Sequence, residues 1–226
     1  MRISFPYPDI PPLDIPDRNL LGIFSPSTVK VERSEEEIIS EAFSHSIGPD
    51  RLSKLLKGCK EVLIVVDDYT RTTPVQKILP RLVSELGEAG IKPSGIKILV
   101  ALGTHRPMTE EEIVKKFGKD IPKRYPIFNH QWWDSSQLTY FGETEKRTPI
   151  FVNRMIKEVD LIIGIGQIVP HRVSGFSGGG NIIQPGICGE ETTGKTHWLS
   201  AQFKGREIWE RSIILSKKKL KRLLRE

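Results

Sequence analysis

Glu61-Val-Leu-Ile-Val-Val66 is a short apolar, largely β-branched run, followed at once by Asp67-Asp-Tyr-Thr-Arg71. A run of that length and composition fits a strand buried on both faces better than a helix. Thr73-Pro74 reads as a cap and first-turn pair, and Val75, Ile78, Leu79, Leu82 and Leu86 carry the apolar spacing of an amphipathic helix. Gly87 and Gly90 are expected to end it. The unit then repeats. Ile96-Lys-Ile-Leu-Val-Ala101 is a second strand, and Thr109-Glu-Glu-Glu112 is a capping box that opens a helix to about Phe117. Thr148-Pro149 reads as the start of a further helix, and Leu161-Ile-Ile-Gly-Ile-Gly166 as a third buried strand. Alternation of this kind builds βαβ units. The fold class is therefore α/β: a mostly parallel sheet with helices on both faces, and a ligand site at the carboxyl edge of the strands.

On the N-terminal side, residues 1–33 read as an extended, proline-punctuated lead-in with room for one or two strands. Ser34-Glu-Glu-Glu37 is another capping box, which predicts a helix to about Ser44, with a second helix from Asp50 to Gly58. The chain has 226 residues, 38% hydrophobic and 27% charged, the balance of one globular domain with a sizeable core. Its two cysteines, Cys59 and Cys188, cannot make a disulfide framework, and Met1 to Asp14 lacks the apolar core of a signal peptide. No apolar run approaches the ~20 residues needed to span a bilayer. A cytoplasmic protein without a membrane partner is expected.

The net charge of +6 is concentrated at one end. Lys217, Lys218, Lys219, Lys221, Arg222 and Arg225 face only Glu226 among the last ten residues, which leaves residues 1–216 near neutrality. A nucleic-acid surface should belong to the folded body, so this basic tail reads as a solvated helix end and no nucleic-acid partner is expected. The expected division is one α/β domain over 1–216 and the tail over 217–226.

Three segments rich in chemistry follow the three strands. Asp68 and Arg71 come after the first; the arginine can clamp a carboxylate or phosphate through paired hydrogen bonds, or the two can pair with each other to stiffen the turn. His105, in Gly103-Thr-His-Arg106, follows the second on a polar loop, where an imidazole suits acid–base work near neutrality or merely holds the loop. His171 follows the third. Between His171 and His197 lies Ser174-Gly-Phe-Ser-Gly-Gly-Gly-Asn-Ile-Ile-Gln-Pro-Gly186. Its glycines allow backbone N–H groups to approach an anion, although the string matches neither a P-loop nor a dinucleotide fingerprint. The spacing of His105, His171 and His197 is not that of a local zinc motif. His45 and His130 receive no role, and Trp132 and Trp133 read as packing.

Taken in order, Asp68-Tyr-Thr-Arg71, Gly103-Thr-His-Arg-Pro107, Asn129-His-Gln-Trp132 and Pro170-His171 through Gly175-Phe-Ser-Gly-Gly179 and Pro185-Gly186 to His197 resemble the N-terminal domain of the nickel-pincer-nucleotide-dependent lactate racemases. The resemblance implies a racemase or epimerase of a 2-hydroxy acid that works by hydride transfer. It implies His105 and His171 as the two bases, His197 as the nickel ligand, and Arg71, assisted by Asp68, on the substrate carboxylate. Ser177, Gly178, Gly179, Gly180 and Asn181 would lie against the nucleotide. In that family a lysine ten residues after the first histidine of this stretch bonds to the cofactor; here the position is Asn181, and a carboxamide cannot form that link. The family also carries a C-terminal domain absent from these residues, which a separate chain could supply. The alternative function is a non-catalytic module of the same fold that binds a nucleotide or organic anion.

Overall fold

The computed structural model describes residues 1–4, 10–24, 27, 30–48 and 51–204. The predicted helix start at Asp50 and the basic stretch 217–226 lie outside the described residues. By its contacts the chain divides into two units, Met1–Ile38 and Ile39–Glu226. In the first, strands β1 (Arg2–Ile3) and β2 (Leu13–Asp14) pair antiparallel. Helix α1 (Glu35–Ser44) starts as the sequence predicts: Ser34 N donates to the Glu37 carboxylate at 2.7 Å and Glu37 N donates to Ser34 Oγ at 3.2 Å.

The second unit runs α2 (Leu52–Leu55), β3 (Val62–Asp67), α3 (Val75–Glu88), β4 (Ile96–Ala101), α4 (Glu110–Phe117), α5 (Ile121–Arg124) and β5 (Ile127–Asn129). It continues with β6 (Leu138–Glu143), β7 (Pro149–Asn153), β8 (Leu161–Ile165), β9 (Pro170–His171), β10 (Gly175–Phe176) and α6 (Glu190–Ala201). Four strands form one sheet in the order β5-β4-β3-β8, every pair parallel. This is the α/β class expected from the alternating pattern.

Side chains of the central strands divide by parity. Val62, Ile64 and Val66 with Ile96, Ile98 and Val100 pack against Val75, Leu79, Leu82 and Leu86 of α3 and Phe117 of α4. Leu63, Val65, Leu99 and Ala101 face the other way, onto Ile150 and Val152 of β7 and Ile187 and Cys188. That second layer also takes in Met155 and Ile182, from the 3₁₀ turns Arg154–Lys157 and Gly179–Ile182. Each fully buried Val, Ile or Leu contributes about 1.5–3 kcal/mol relative to exposure.

Strand order also locates the site. From β3 the chain steps to β4 and then β5 in one direction, and β8 joins β3 on its opposite edge. The direction of winding reverses between β3 and β8, and a crevice opens beyond the carboxyl ends at such a reversal.

Three local expectations are corrected. Thr148-Pro149 starts strand β7, not a helix; Leu138↔Asn153, Thr139↔Val152 and Tyr140↔Phe151 pair β7 with β6. Proline is tolerated at the first residue of a strand, and Ile150 and Val152 bury one face of the hairpin on the sheet. Thr73 does not cap α3, because its hydroxyl donates to the Asp67 carboxylate, and Pro74 takes the cap position. Gly87 is inside α3; the stop is Gly90, at φ +90°, where Ile91 N donates to Leu86 O at 2.9 Å. Among the described residues, no helix is long and apolar enough to cross a membrane.

Candidate active site

Asp67, the last residue of β3, is the anchor of the first loop. Its Oδ1 lies 2.7 Å from Lys116 Nζ, while Oδ2 accepts from Thr73 and from Gln167 N, the latter at 3.2 Å. One carboxylate thus joins the ends of β3 and β8. Lys116, on α4, also donates to Asp68 O at 2.6 Å and Arg71 O at 3.1 Å, so a buried ammonium supports the loop from below. Its side chain is 7% exposed. A surface-type residue reaches this place because Lys116 falls on the inward stripe of α4 with Ile113 and Phe117.

Above Lys116, both oxygens of Asp68 have partners. Oδ1 accepts from Thr70 N at 3.0 Å and Thr70 Oγ1 at 2.5 Å, and Oδ2 meets His105 Nδ1 at 2.5 Å. A carboxylate only accepts, so His105 carries its proton on Nδ1 and leaves Nε2 without one. The backbone of this histidine is fixed too. His105 N donates to Leu102 O at 2.9 Å, and the Trp132 indole donates to His105 O at 3.0 Å. The Asn129 carboxamide brackets Met108 by bonds to its N and O, both at 3.0 Å. Arg106 grips Glu112 at 2.7 and 2.8 Å and helps push that carboxyl down to about 2, while its guanidinium covers the Tyr69 ring at 4.3 Å.

His171 ends β9, which pairs with β10. Its Nδ1 lies 3.3 Å from Val173 N and 3.1 Å from Ser174 Oγ. Burial, then the Arg71 guanidinium and the neighbouring His197 and Arg172, hold this imidazole below its ordinary value. Asn181 donates from Nδ2 to Ser174 Oγ at 2.7 Å and Phe176 O at 3.3 Å. Ser177 closes the same turn: its hydroxyl donates to Gln167 O at 2.6 Å and accepts from Val169 N at 3.0 Å. At Gly178, φ is +76° and a Cβ would come within 2.8 Å of Ile168 and 3.1 Å of Gln167 O, so the close turn requires glycine.

His197 projects from α6 and donates from Nδ1 to Thr193 O at 2.8 Å, one turn earlier. Here again Nε2 is left without a proton. Lys195, by contrast, pairs with Glu191 on the exposed side of α6 at 3.0 Å.

Asp68, Arg71, His105, His171, Ser177, Gly178, Asn181 and His197 line one cleft of about 150 Å³. Gly179 and Gly180 lie outside its lining. The cleft adds Asp67, Thr70, Thr104, Gln167 and Thr193, which the sequence did not single out. Because β4 and β8 flank β3, the loops bearing His105 and His171 flank the loop bearing Arg71. Lys116, Ser174 and Trp132 act one shell further out. Lys116 had a readable signal, a lysine on an apolar helical stripe; Ser174 and Trp132 stand in stretches that the sequence marks, but nothing there shows the bonds they make.

A family model described as the lactate racemase N-terminal domain matches residues 10–207. The lactate racemase of Thermoanaerobacterium thermosaccharolyticum is 35% identical over 177 residues, covering 77% of this chain and 41% of that protein. The lactate racemase of Lactiplantibacillus plantarum is 34% identical over 186 residues, covering 81% and 43%. Among solved structures, the lactate racemase apoprotein from T. thermosaccharolyticum superposes with a TM-score of 0.72 at 32% identity, over 85% of this chain and 45% of that one. A Thermotoga maritima protein superposes with a TM-score of 0.63 at 30% identity, over 82% and 48%. The chain thus spans less than half the length of the relatives it matches.

Proposed function

The chain belongs to the lactate racemase N-terminal domain family, and on that premise we propose that its cleft binds a 2-hydroxy acid and carries the machinery of its racemisation or epimerisation. One observation carries the reading: two imidazoles, on the loops after β4 and β8, flank a guanidinium on the loop after β3. A carboxylate held by Arg71 places its α-hydroxyl between them. The two enantiomers present that hydroxyl differently, and each needs a nearby base. His105 is the base on one side, oriented by Asp68, and His171 is the base on the other.

Removing the hydrogen from C2 as a proton would leave a carbanion beside a carboxylate. A nickel pincer nucleotide, when bound, supplies a hydride acceptor and so avoids that carbanion. The residues fit such a group. His197 is held through Nδ1 and offers Nε2, the arrangement usual for a metal-binding imidazole. Among the described residues no three His, Cys, Asp or Glu side chains group to hold a metal. One imidazole from the protein suffices when the organic ligand supplies the other donors. The cleft encloses room for a small acid, and a nucleotide would extend beyond it over the Ser177–Asn181 turn. Asn181 is committed to Ser174 and Phe176, and a carboxamide makes no covalent bond to the cofactor, so attachment at this position is non-covalent. Arg71 and the two histidines then bind, orient and exchange the hydroxyl proton. Both cysteines are free thiols, which suits the reducing cytoplasm.

The test is nickel analysis with native and denaturing mass spectrometry on protein made beside the enzymes that build the cofactor. Nickel and a nucleotide mass should appear in the native spectrum and leave on denaturation. Protein carrying neither would overturn the cofactor assignment, and nucleotide binding without turnover of any 2-hydroxy acid would favour the binding-module alternative.

A further inference from the structure

Asn181 and Ser174 form a bonded pair whose outer end is the Nδ1 of His171, and neither touches the substrate in the chemistry described above. The polarity of each bond follows from the partners. Phe176 O can only accept, so the Asn181 amide must turn its NH₂ toward it, and the same NH₂ reaches Ser174 Oγ. Ser174 therefore accepts from Asn181 and has one proton for its remaining neighbours, Phe176 O at 2.9 Å and His171 Nδ1 at 3.1 Å. The shorter contact is to the pure acceptor, Phe176 O. With the proton there, a lone pair of Ser174 faces His171.

That arrangement bears on which ring nitrogen carries the proton. When Nδ1 carries a proton, Ser174 Oγ accepts it. When Nδ1 is bare, Val173 N–H stands 3.3 Å away to donate. His105 differs, because its Nδ1 partner is a carboxylate that accepts only. We propose that Asn181 is a positioning residue for His171: by fixing Ser174 it holds an acceptor opposite Nδ1, which keeps the ring proton there and leaves Nε2 free to act. His171 can then take up or release a proton at Nε2 without losing its anchor. Asn181 touches no reacting atom in this scheme and acts only through Ser174. The catalytic importance of the pair rests on the reading of His171 as a base; the positioning itself does not.

The experiment is a set of ¹⁵N-histidine spectra of the full chain without ligand, at about pH 8 where imidazoles are neutral. Wild type is compared with Asn181→Ala, Ser174→Ala and Ser174→Thr. The His171 ring-nitrogen shifts should move in both alanine variants and return toward wild type in Ser174→Thr, while those of His105 and His130 hold still. If the His171 signals are unmoved in both alanine variants, or if all three histidines move together, the positioning role is wrong. In cofactor-loaded protein, Asn181→Ala should lower kcat about tenfold with KM little changed. Spectra as expected from a loaded protein that racemises no 2-hydroxy acid would overturn the proposed function and leave the positioning intact.

Discussion

His105 Nδ1 lies 2.5 Å from Asp68 Oδ2, with the Asp68 side chain 4% exposed and the His105 side chain 48% exposed. The anchored edge of the imidazole is thus turned inward while much of the ring stays accessible. Asp68→Asn keeps the size but replaces the carboxylate by a group that can present N–H to Nδ1, favouring the wrong tautomer. It should lower kcat by about 10²–10⁴ with little effect on KM. Racemisation kinetics on the loaded protein measure this, and a rise in KM at constant kcat would mean that Asp68 holds substrate instead.

Arg71 is expected to bind the substrate carboxylate with two parallel N–H donors. Arg71→Lys keeps the charge and loses the fork. KM should rise about 10- to 100-fold with a smaller change in kcat, the effect of losing a charge-assisted bond. An unchanged KM would remove Arg71 from the substrate.

Lys116 and Asp67 are a buried pair, 7% and 11% exposed, supporting the Asp67–Arg71 loop. Lys116→Met leaves the carboxylate without its cation and should cost about 3–5 kcal/mol. Adding Asp67→Asn should restore part of that loss, since no lone charge is then buried. Denaturant unfolding of the single and double variants reads both numbers; equal stability of wild type and Lys116→Met would show that the pair supports nothing.

His130 is fully buried, with Nε2 3.0 Å from Cys188 O and Nδ1 3.1 Å from Asn153 Nδ2. Burial holds its pKa below the ordinary value. The unfolded chain therefore binds a proton below pH ~6.5 that the folded chain refuses. This contribution to stability is level above about 6.5 and is lost as the pH falls, by up to about 1.4 kcal/mol per unit, until the folded-state pKa is passed. His130→Gln should be less stable than wild type at neutral pH yet lose less on acidification. Identical slopes for the two proteins would exclude His130 as the source.

Much of this architecture could be read from the letters, and for physical reasons. Strands β3 and β4 stand out because they are buried on both faces and their apolar runs are continuous. The Thr109 box was legible because both of its bonds lie within four residues. Thr148-Pro149 misled because the same dipeptide suits a helix start and a strand start, and only the pairing of β7 with β6 and its packing on the sheet decide between them. The three strand-end loops announced that they would meet, since parallel strands deliver their following loops to one edge. What those side chains do to one another was not legible. Asp68 and His105 are 37 positions apart, and no local pattern records that the aspartate would serve the histidine as well as the loop. Lys116 could be noticed as a lysine on an apolar helical stripe, but its targets on the Asp67–Arg71 loop could not, and Ser174 gave no sign of which neighbours within its own turn it would bond.

The most direct test of the whole account is the fate of an enantiopure 2-hydroxy acid, lactate first, incubated with the cofactor-loaded chain and followed by chiral chromatography. The opposite enantiomer should accumulate toward an equal mixture from either starting form, and His105→Ala and His171→Ala should each stop it. A chain that binds nickel and nucleotide yet returns every such acid with its configuration unchanged would contradict the account.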